Sequence, residues 1–425
     1  MEKSLLVTAL SLLSIVFVFA ENVEQMKDSS DKVISITPNF IEIDVEAYKN
    51  NLNFVKKMIG NDVKLCAVMK ADAYGHGIKN LISTTVISSA VDCIAGVDNS
   101  EFEIIAPAII ESGRDIAMLR IAPVTKSELV QSINNGWKVQ EVIGSYEQAK
   151  MISDTAVEMS KILGKKIIID VSINIETAMG RMAFRDVNDI KKAMGLPNLK
   201  IVGVMTHFAK DEDDDEDGVS KPATRKQLDI YEQIVDQLDL PKNVVQHVAN
   251  GAAASKYPWT RKDMVRVGSL IYGEDVNDSL DPKHELKPVM KSYRSEIAII
   301  ERNIPPHTPI NYDAEEYTRD NQVSTTATLR VGYSYGYPKK AYKEKAEVII
   351  NGHKYPIIGK SSMNMVVVDI TDKPKNGIVN IGDQAIIVGK QGDEYITWKH
   401  FAEMNDMSIT EQILNIGNLN KKLVV

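Results

Sequence analysis

The sequence predicts an α/β protein: an N-terminal (β/α)8 barrel over residues 21–283, followed by a mainly β domain over residues 284–425. Three observations lead there. Eight short apolar runs alternate with amphipathic stretches between residues 63 and 273. The texture turns to β-rich runs after about residue 284, and the break falls in "DSLDPKHELKP", Asp278 to Pro288. Apolar strands separated by helices indicate a parallel sheet covered on both faces. Eight of them fit a closed barrel better than an open sheet.

Taken in order, "VEAYKNNLNFVKKMI" has helical spacing and "VKLCAVMK" reads as the first barrel strand. The remaining strands are "VDCIAGVD", "IAMLRIAP", "WKVQEVIG", "KIIIDVSIN", "KIVGVMTHF", "NVVQHVAN" and "MVRVGSLIYG". "TKSELVQSINN", "SYEQAKMISDTAVEMSKILG" and "TRKQLDIYEQIVDQL" are helical stretches between them. The second domain is read from "YRSEIAIIERN", "NQVSTTATLRVGYSYGYP", "KAEVIINGHKYPIIGKSSMNMVVVDIT" and "GDQAIIVGK", with Asn-Gly and Gly-Asp turns. Short helices near "EYITWKHFAEMN" and "ITEQILNIGN" close the chain.

At 425 residues, 44% hydrophobic and 25% charged, the chain has the composition of a soluble globular protein of two domains. A formal net charge of -8 lacks the electrostatic footprint of a nucleic-acid binder. The N-terminus is a secretory signal peptide by pattern: a cationic start at Lys3, the apolar "LLVTALSLLSIVFVFA", and Val18-Phe19-Ala20 as a small-residue cleavage site. The competing reading is a single membrane anchor, but no basic stop-transfer cluster follows. The expected compartment is therefore the periplasm, with mature residues starting at Glu21. Cys66 and Cys93 are an even pair in an exported chain, near the starts of consecutive predicted strands, which favours a disulfide over two buried free thiols. No Cys/His spacing suggests a metal site. The acidic run Asp211 to Gly218 lacks the distal glutamate of a calcium loop and reads as a solvated loop.

Strand ends carry the chemistry of such a barrel, which singles out Lys70, His207, His247 and Arg266. A desolvated lysine is a nucleophile and base near neutral pH. On position alone Lys70 reads more readily as a lysine snorkelling out of the barrel mouth.

"VMKADAYGHG" resembles the pyridoxal-phosphate lysine motif of the alanine racemase family. The resemblance continues in order through "AMGRMAF", "THFA", "HVANGAA", "MVRVGSLIYG", "PINYDAEEYT", "VGYSYGYP" and "GKSSMNMVVVDI". It implies a homodimer of barrel and β domains, each active site completed by the partner's second domain. By resemblance, Lys70 holds pyridoxal 5'-phosphate and serves one face of the substrate Cα. Tyr312 matches the tyrosine that serves the opposite face from the other subunit. Arg266 matches the arginine facing the pyridine nitrogen, where fold-related decarboxylases would carry an acid. Arg181 matches the arginine bonded to the catalytic tyrosine. His207 and His247 match groups supporting the ring and Arg266. Tyr74, Asn250, Gly251, Gly268 and Ser269 match the phosphate site, and Met363 lines the substrate pocket. Taken one by one, each has a plainer reading: Tyr312 as a core or turn aromatic, Arg181 as a surface cation, the histidines as core residues.

Four positions depart from the usual pattern. Gly251 replaces a serine, Tyr335 an aspartate, and Glu411 a phosphate-binding tyrosine. Asn174 stands where many alanine-specific members have a lysine. Asn174, the leader and the cysteine pair look like the broad-specificity periplasmic racemases of the same family, and Arg120 is compatible with that branch. The implied activity is racemisation of amino acids, basic ones included. The alternatives are an alanine-specific racemase and, in a different class, a non-catalytic pyridoxal-phosphate carrier, which would lack the β domain.

Overall fold

The computed structural model describes residues 26–27, 33–34, 37–209, 223–274, 285–314, 316–339, 341–372 and 378–425. The expected leader, the acidic run Asp211–Gly218 and most of the predicted linker lie outside the described residues. The described residues divide into two compact units, those of Ile43–Met290 with Val424–Val425, and those of Lys291–Leu423 with the described residues up to Glu42.

In the first unit the eight predicted strands form one parallel sheet. Its order is Val245–His247, Leu199–Met205, Ile169–Asn174, Val139–Ile143, Ala117–Arg120, Cys93–Gly96, Lys64–Val68 and Met264–Val267. The two ends of that order are consecutive in sequence. They meet through Arg266 N–H to the Ala249 carbonyl, at 3.0 Å, and Asp263 N–H to the Gln246 carbonyl, at 3.1 Å. This is a nearly closed (β/α)8 barrel, as the alternation of runs predicts. Alternate strand residues point inward, so Cys66, Val68, Cys93, Ala95, Leu119, Val142, Met205 and Met264 form the buried barrel core.

The helices follow from spacing and capping. Val45–Ile59 buries Ala47, Tyr48, Asn51, Leu52, Val55 and Ile59, a stripe three or four residues apart. Asp44 caps its start, accepting from Ala47 N–H at 2.9 Å. Tyr146–Leu163 starts on Ser145 and stops at Gly164, whose φ of 61° suits a residue without Cβ. Cys66 and Cys93 are register partners on adjacent parallel strands and are joined as a disulfide.

The second unit holds a nine-stranded sheet in which Asn39–Ile43 lies between Met290–Ile304 and Lys421–Val424. The sequence reading gave residues 21–283 to the barrel, but Asn39–Ile43 pairs in the β sheet instead. All five of its residues are buried, and Glu42 forms an ion pair with Arg294 at 2.7 Å. The segment "VGYSYGYP", read with the β-rich runs, leaves the sheet after Leu329 and forms a 3-10 turn at Tyr333–Tyr335. The two closing helices are Trp398–Glu403 and Ile409–Leu419.

Candidate active site

Lys70 opens a turn of unusual hand. The Lys64–Val68 strand ends, and Ala71, Asp72, Ala73 and Tyr74 then all adopt φ between 53° and 56°. Each non-glycine residue in that region costs roughly 1–2 kcal/mol, so a run of four persists only where surroundings impose it. The restraints are visible. Within the turn, Ala73 N–H donates to the Met69 carbonyl at 2.9 Å and Gly75 N–H to the Ala71 carbonyl at 3.0 Å. Asp72 accepts from Ile78 N–H at 2.8 Å, and Glu101 accepts from Ala71 N–H at 2.6 Å. Tyr272 wedges the turn from below: its ring lies 5.1 Å from Tyr74 and 4.6 Å from His76, and its hydroxyl donates to the Val68 carbonyl at 2.9 Å. Gly75 and Gly77, with φ of 80° and 91°, release the chain into the next helix.

The turn forms one wall of a cavity of about 510 Å³ at the carboxyl ends of the strands. Lys70 and Tyr74 share it with Asn174, Arg181 and His207, and with Asn250, Gly251, Arg266, Gly268 and Ser269 from the last two strand ends. Burial, and then the Arg181 guanidinium, hold the Lys70 ammonium below its ordinary range, with Glu101 partly offsetting them. Burial drives the His207 pKa down to about 3, helped by Arg266, Arg181 and Lys70, so the ring is neutral. Arg266 is nearly buried, and burial lowers its pKa to about 10, which leaves it charged at neutral pH. Its guanidinium donates to the Thr206 carbonyl at 2.8 Å and to the His247 carbonyl, with His247 Nδ1 at 3.1 Å. His247 is therefore not in the first cavity. It lines a second one of about 590 Å³, where burial and Arg266 hold it well below its usual pKa.

One end of the first cavity suits a phosphate. Asn250 caps the Gly251–Lys256 helix, accepting from Ala253 N–H at 2.9 Å, and Ser269 opens a 3-10 turn just after Gly268. Both helix starts line the cavity, and helix-start amides hold anions. A Cβ on Gly268 would overlap the Tyr74 hydroxyl, so any other residue there would push the tyrosine ring aside. Burial raises the Tyr74 pKa, so its hydroxyl remains a donor. A lysine, a charged arginine and a phosphate cradle lining one cavity fit pyridoxal phosphate.

Asn174 is buried at its strand end. Its amide donates to the Met182 carbonyl at 2.6 Å, while its own Oδ1 has no partner among the described residues. Arg181 stands exposed at the rim. Tyr312 and Met363 belong to the β unit and are 63% and 54% exposed. Tyr312 starts a tight turn flanked by Asn311 and Asp313 at φ of 59° and 69°, with Asp313 paired to Lys360. The carbonyl of Met363 accepts from Ser334 N–H at 3.0 Å and from the Ser334 hydroxyl at 2.7 Å.

Glu411, which stands where the family's phosphate tyrosine is common, has a local task. It caps the Ile409–Leu419 helix reciprocally with Ser408: Ser408 N–H donates to its carboxylate at 2.9 Å, and Glu411 N–H to Ser408 Oγ at 3.2 Å. The Tyr335 carbonyl accepts from the Tyr293 hydroxyl and from Asn420, both at 2.9 Å. Arg120 lies outside the cavity. It is fully buried in the helix layer, bonded to Glu141 and Asn99 at 2.9 and 2.7 Å and stacked 4.9 Å over Phe102. Sequence reasoning overlooked Glu101, although Asp98 three residues earlier makes a capping box with it that the sequence could have signalled.

Comparison with known proteins agrees with this geometry. Residues 43–276 match the alanine racemase N-terminal domain and residues 290–424 the alanine racemase C-terminal domain. A broad-specificity amino-acid racemase from Pseudomonas putida is 31% identical, covering 91% of this chain and 89% of that protein. An alanine racemase from Halothermothrix orenii is 30% identical over 89% and 95%. The solved alanine racemase of Clostridium difficile superposes with a TM-score of 0.78 at 27% identity, covering 93% of this chain and 97% of that one. The chain belongs to the alanine racemase family.

Proposed function

We propose that this isomerase, a pyridoxal-phosphate amino-acid racemase, exchanges protons at Cα by two bases, Lys70 on one face and Tyr312 of the partner subunit on the other. The observation that carries the reading is Lys70 itself, released into the cavity by a turn that four left-handed residues and a buried carboxylate hold in place. When bound, pyridoxal phosphate accepts the electron pair left by removal of the Cα proton. The rest falls to the chain. Lys70, its pKa lowered by burial and Arg181, is a free amine for more of the neutral range and can take up and return a proton. Arg266 has donors and no acceptor, so a ring nitrogen opposite it receives a hydrogen bond and stays without a proton. Asn250, Gly251, Gly268, Ser269 and Tyr74 would hold the phosphate.

Racemisation needs a second proton carrier on the far face, and an exposed tyrosine fixed in a tight turn on the β unit suits that task. Homodimerisation through this face follows from the reading. Breadth toward larger and basic amino acids is supported by Asn174 where alanine-specific members have lysine, and by the apolar wall of Ile121, Ala122 and Pro123. It is also supported by relatives of similar identity that bear the broad-specificity name. Export to the periplasm is part of the same proposal, resting on the apolar leader and the disulfide.

The test is mature protein incubated with L-Lys, L-Arg, L-Met and L-Ala, with D-enantiomers read by chiral chromatography. Turnover of all four is expected. Turnover of alanine alone sinks the breadth, and no turnover of any sinks the activity.

A further inference from the structure

Glu101 is a carboxylate with only 5% of its surface exposed, on the first turn of the Asn99–Ser112 helix, and both of its oxygens are engaged by backbone. Oε1 accepts from Ala71 N–H at 2.6 Å. Oε2 accepts from Val97 N–H at 2.6 Å and Asp98 N–H at 3.2 Å. A helix N-cap partner ordinarily serves only its own helix. This one also reaches the residue next to Lys70, at the start of the left-handed turn, and ties it to the end of the Cys93–Gly96 strand. The fit is close: a Cβ on Gly96 would come within 2.8 Å of Oε2. The same carboxylate is the nearby anion for Lys70, whose other charged and titratable neighbours are Arg181 from the loop after Ile169–Asn174, His207, Arg266 and the Tyr74 ring.

We propose that Glu101 is a positioning residue for the reaction, clamping the left-handed turn that aims Lys70 and bringing a buried carboxylate charge to the residue next to it. The two tasks need one group. A carboxylate accepts at both oxygens and carries charge, whereas an amide turns a donor toward at least one of the three N–H groups and carries none. The inference rests on Lys70 being the reacting lysine, so it is tested partly without the reaction.

Lys70 of the full-length, cofactor-free chain is labelled with an amine-reactive reagent across pH and the labelled peptide quantified by mass spectrometry. In Glu101→Gln the labelling midpoint should fall by about one pH unit, because removing an opposing charge disfavours the ammonium. The rising limb of the kcat/KM–pH profile for whichever amino acid the panel turns over should move with it, and kcat should fall tenfold or more. Glu101→Asp keeps the charge but is one methylene too short for both amides. It should hold the labelling midpoint near wild type while kcat still falls tenfold. An unchanged midpoint in Glu101→Gln overturns the charge role. If that variant fails to fold, Glu101→Asp decides: kcat within twofold of wild type overturns the clamp. A failure of the activity panel leaves the labelling shift standing, so the two readings fail separately.

Discussion

Lys70 and Tyr312 are held in opposite ways. Half-buried Lys70 feels the charges of buried Glu101 and of Arg181 at the rim, with a left-handed turn, Glu101 and Tyr272 fixing its backbone. Tyr312 lies on a turn of the β unit with 63% of its surface exposed. A proton-transfer group works best with water excluded and its pKa adjusted by neighbours. The barrel unit supplies both conditions for Lys70 from its own residues. The β unit gives Tyr312 a rigid mount, through Asn311, Asp313 and the Lys360–Asp313 pair, and leaves it exposed. One half of the proposed site is thus preorganised within its unit, and the other gains its environment on assembly.

The largest effect expected from this contrast is at Lys70. Lys70→Ala should abolish racemisation, a loss of at least about 10⁴-fold, since it removes a general base as well as the attachment point. The visible absorbance of wild-type protein carrying pyridoxal phosphate should vanish with it, and its persistence would falsify the attachment. Tyr312→Phe should be milder and different in kind. Racemisation should fall by about 10²- to 10⁴-fold. Exchange of the Cα hydrogen with deuterated water should survive for one enantiomer, the one Lys70 serves. Full activity in both directions would remove Tyr312 from the mechanism. A further sharpening is concentration: dilution below the dimer dissociation constant should mimic Tyr312→Phe without altering the Lys70 absorbance.

Next in size is the disulfide that ties the first two barrel strands four residues before Lys70. Breaking it with Cys66→Ser and Cys93→Ser frees the chain between two positions 27 residues apart. Closing a loop of that length is worth about 3–4 kcal/mol on the chain-entropy view. Denaturant unfolding should show a loss of that order in the barrel, while kcat changes little because the left-handed turn keeps its own hydrogen bonds. A fall in kcat as large as that for Tyr312→Phe would show instead that the bridge helps hold Lys70.

How much of this was readable beforehand differs between the same two regions. All eight barrel strands were legible because each is a short apolar run bounded by helical spacing, and periodicity survives without tertiary knowledge. The order of chemical residues along the strand ends was legible through motifs. The hand of the Lys70 turn was not: "KADAY" contains no glycine, and its composition favours an ordinary helix. Glu101 and Tyr272, brought in from elsewhere, and the forward bond from Ile78 N–H to Asp72 override that preference. Asn39–Ile43 was misplaced for a related reason, since a buried strand carries no mark of the sheet it will join. The direction of Arg120 was not legible either, because a strand-end arginine reads the same whether it points into the barrel or, as here, out toward Phe102 and Glu141.

The smallest prediction concerns Glu411 and decides whether a departure from the family pattern belongs to the site at all. Its carboxylate is occupied by Ser408 N–H and hydroxyl at 2.9 and 2.8 Å, and those bonds hold its pKa below the ordinary carboxylate value. A lowered folded-state pKa means the contribution is present above the unfolded value and fades as pH drops through the carboxylate range. Ser408→Ala removes the helix cap and should cost about 1 kcal/mol in denaturant unfolding at neutral pH. Glu411→Gln can still accept from Ser408, so it should leave stability nearly unchanged at neutral pH and flatten its decline toward acid. Neither change should alter pyridoxal-phosphate affinity by more than twofold. A carboxylate facing a bound phosphate would behave otherwise: neutralising it would tighten binding several-fold through relief of like-charge repulsion. An affinity gain in Glu411→Gln would therefore place this residue at the phosphate, and its absence assigns the residue to the helix cap.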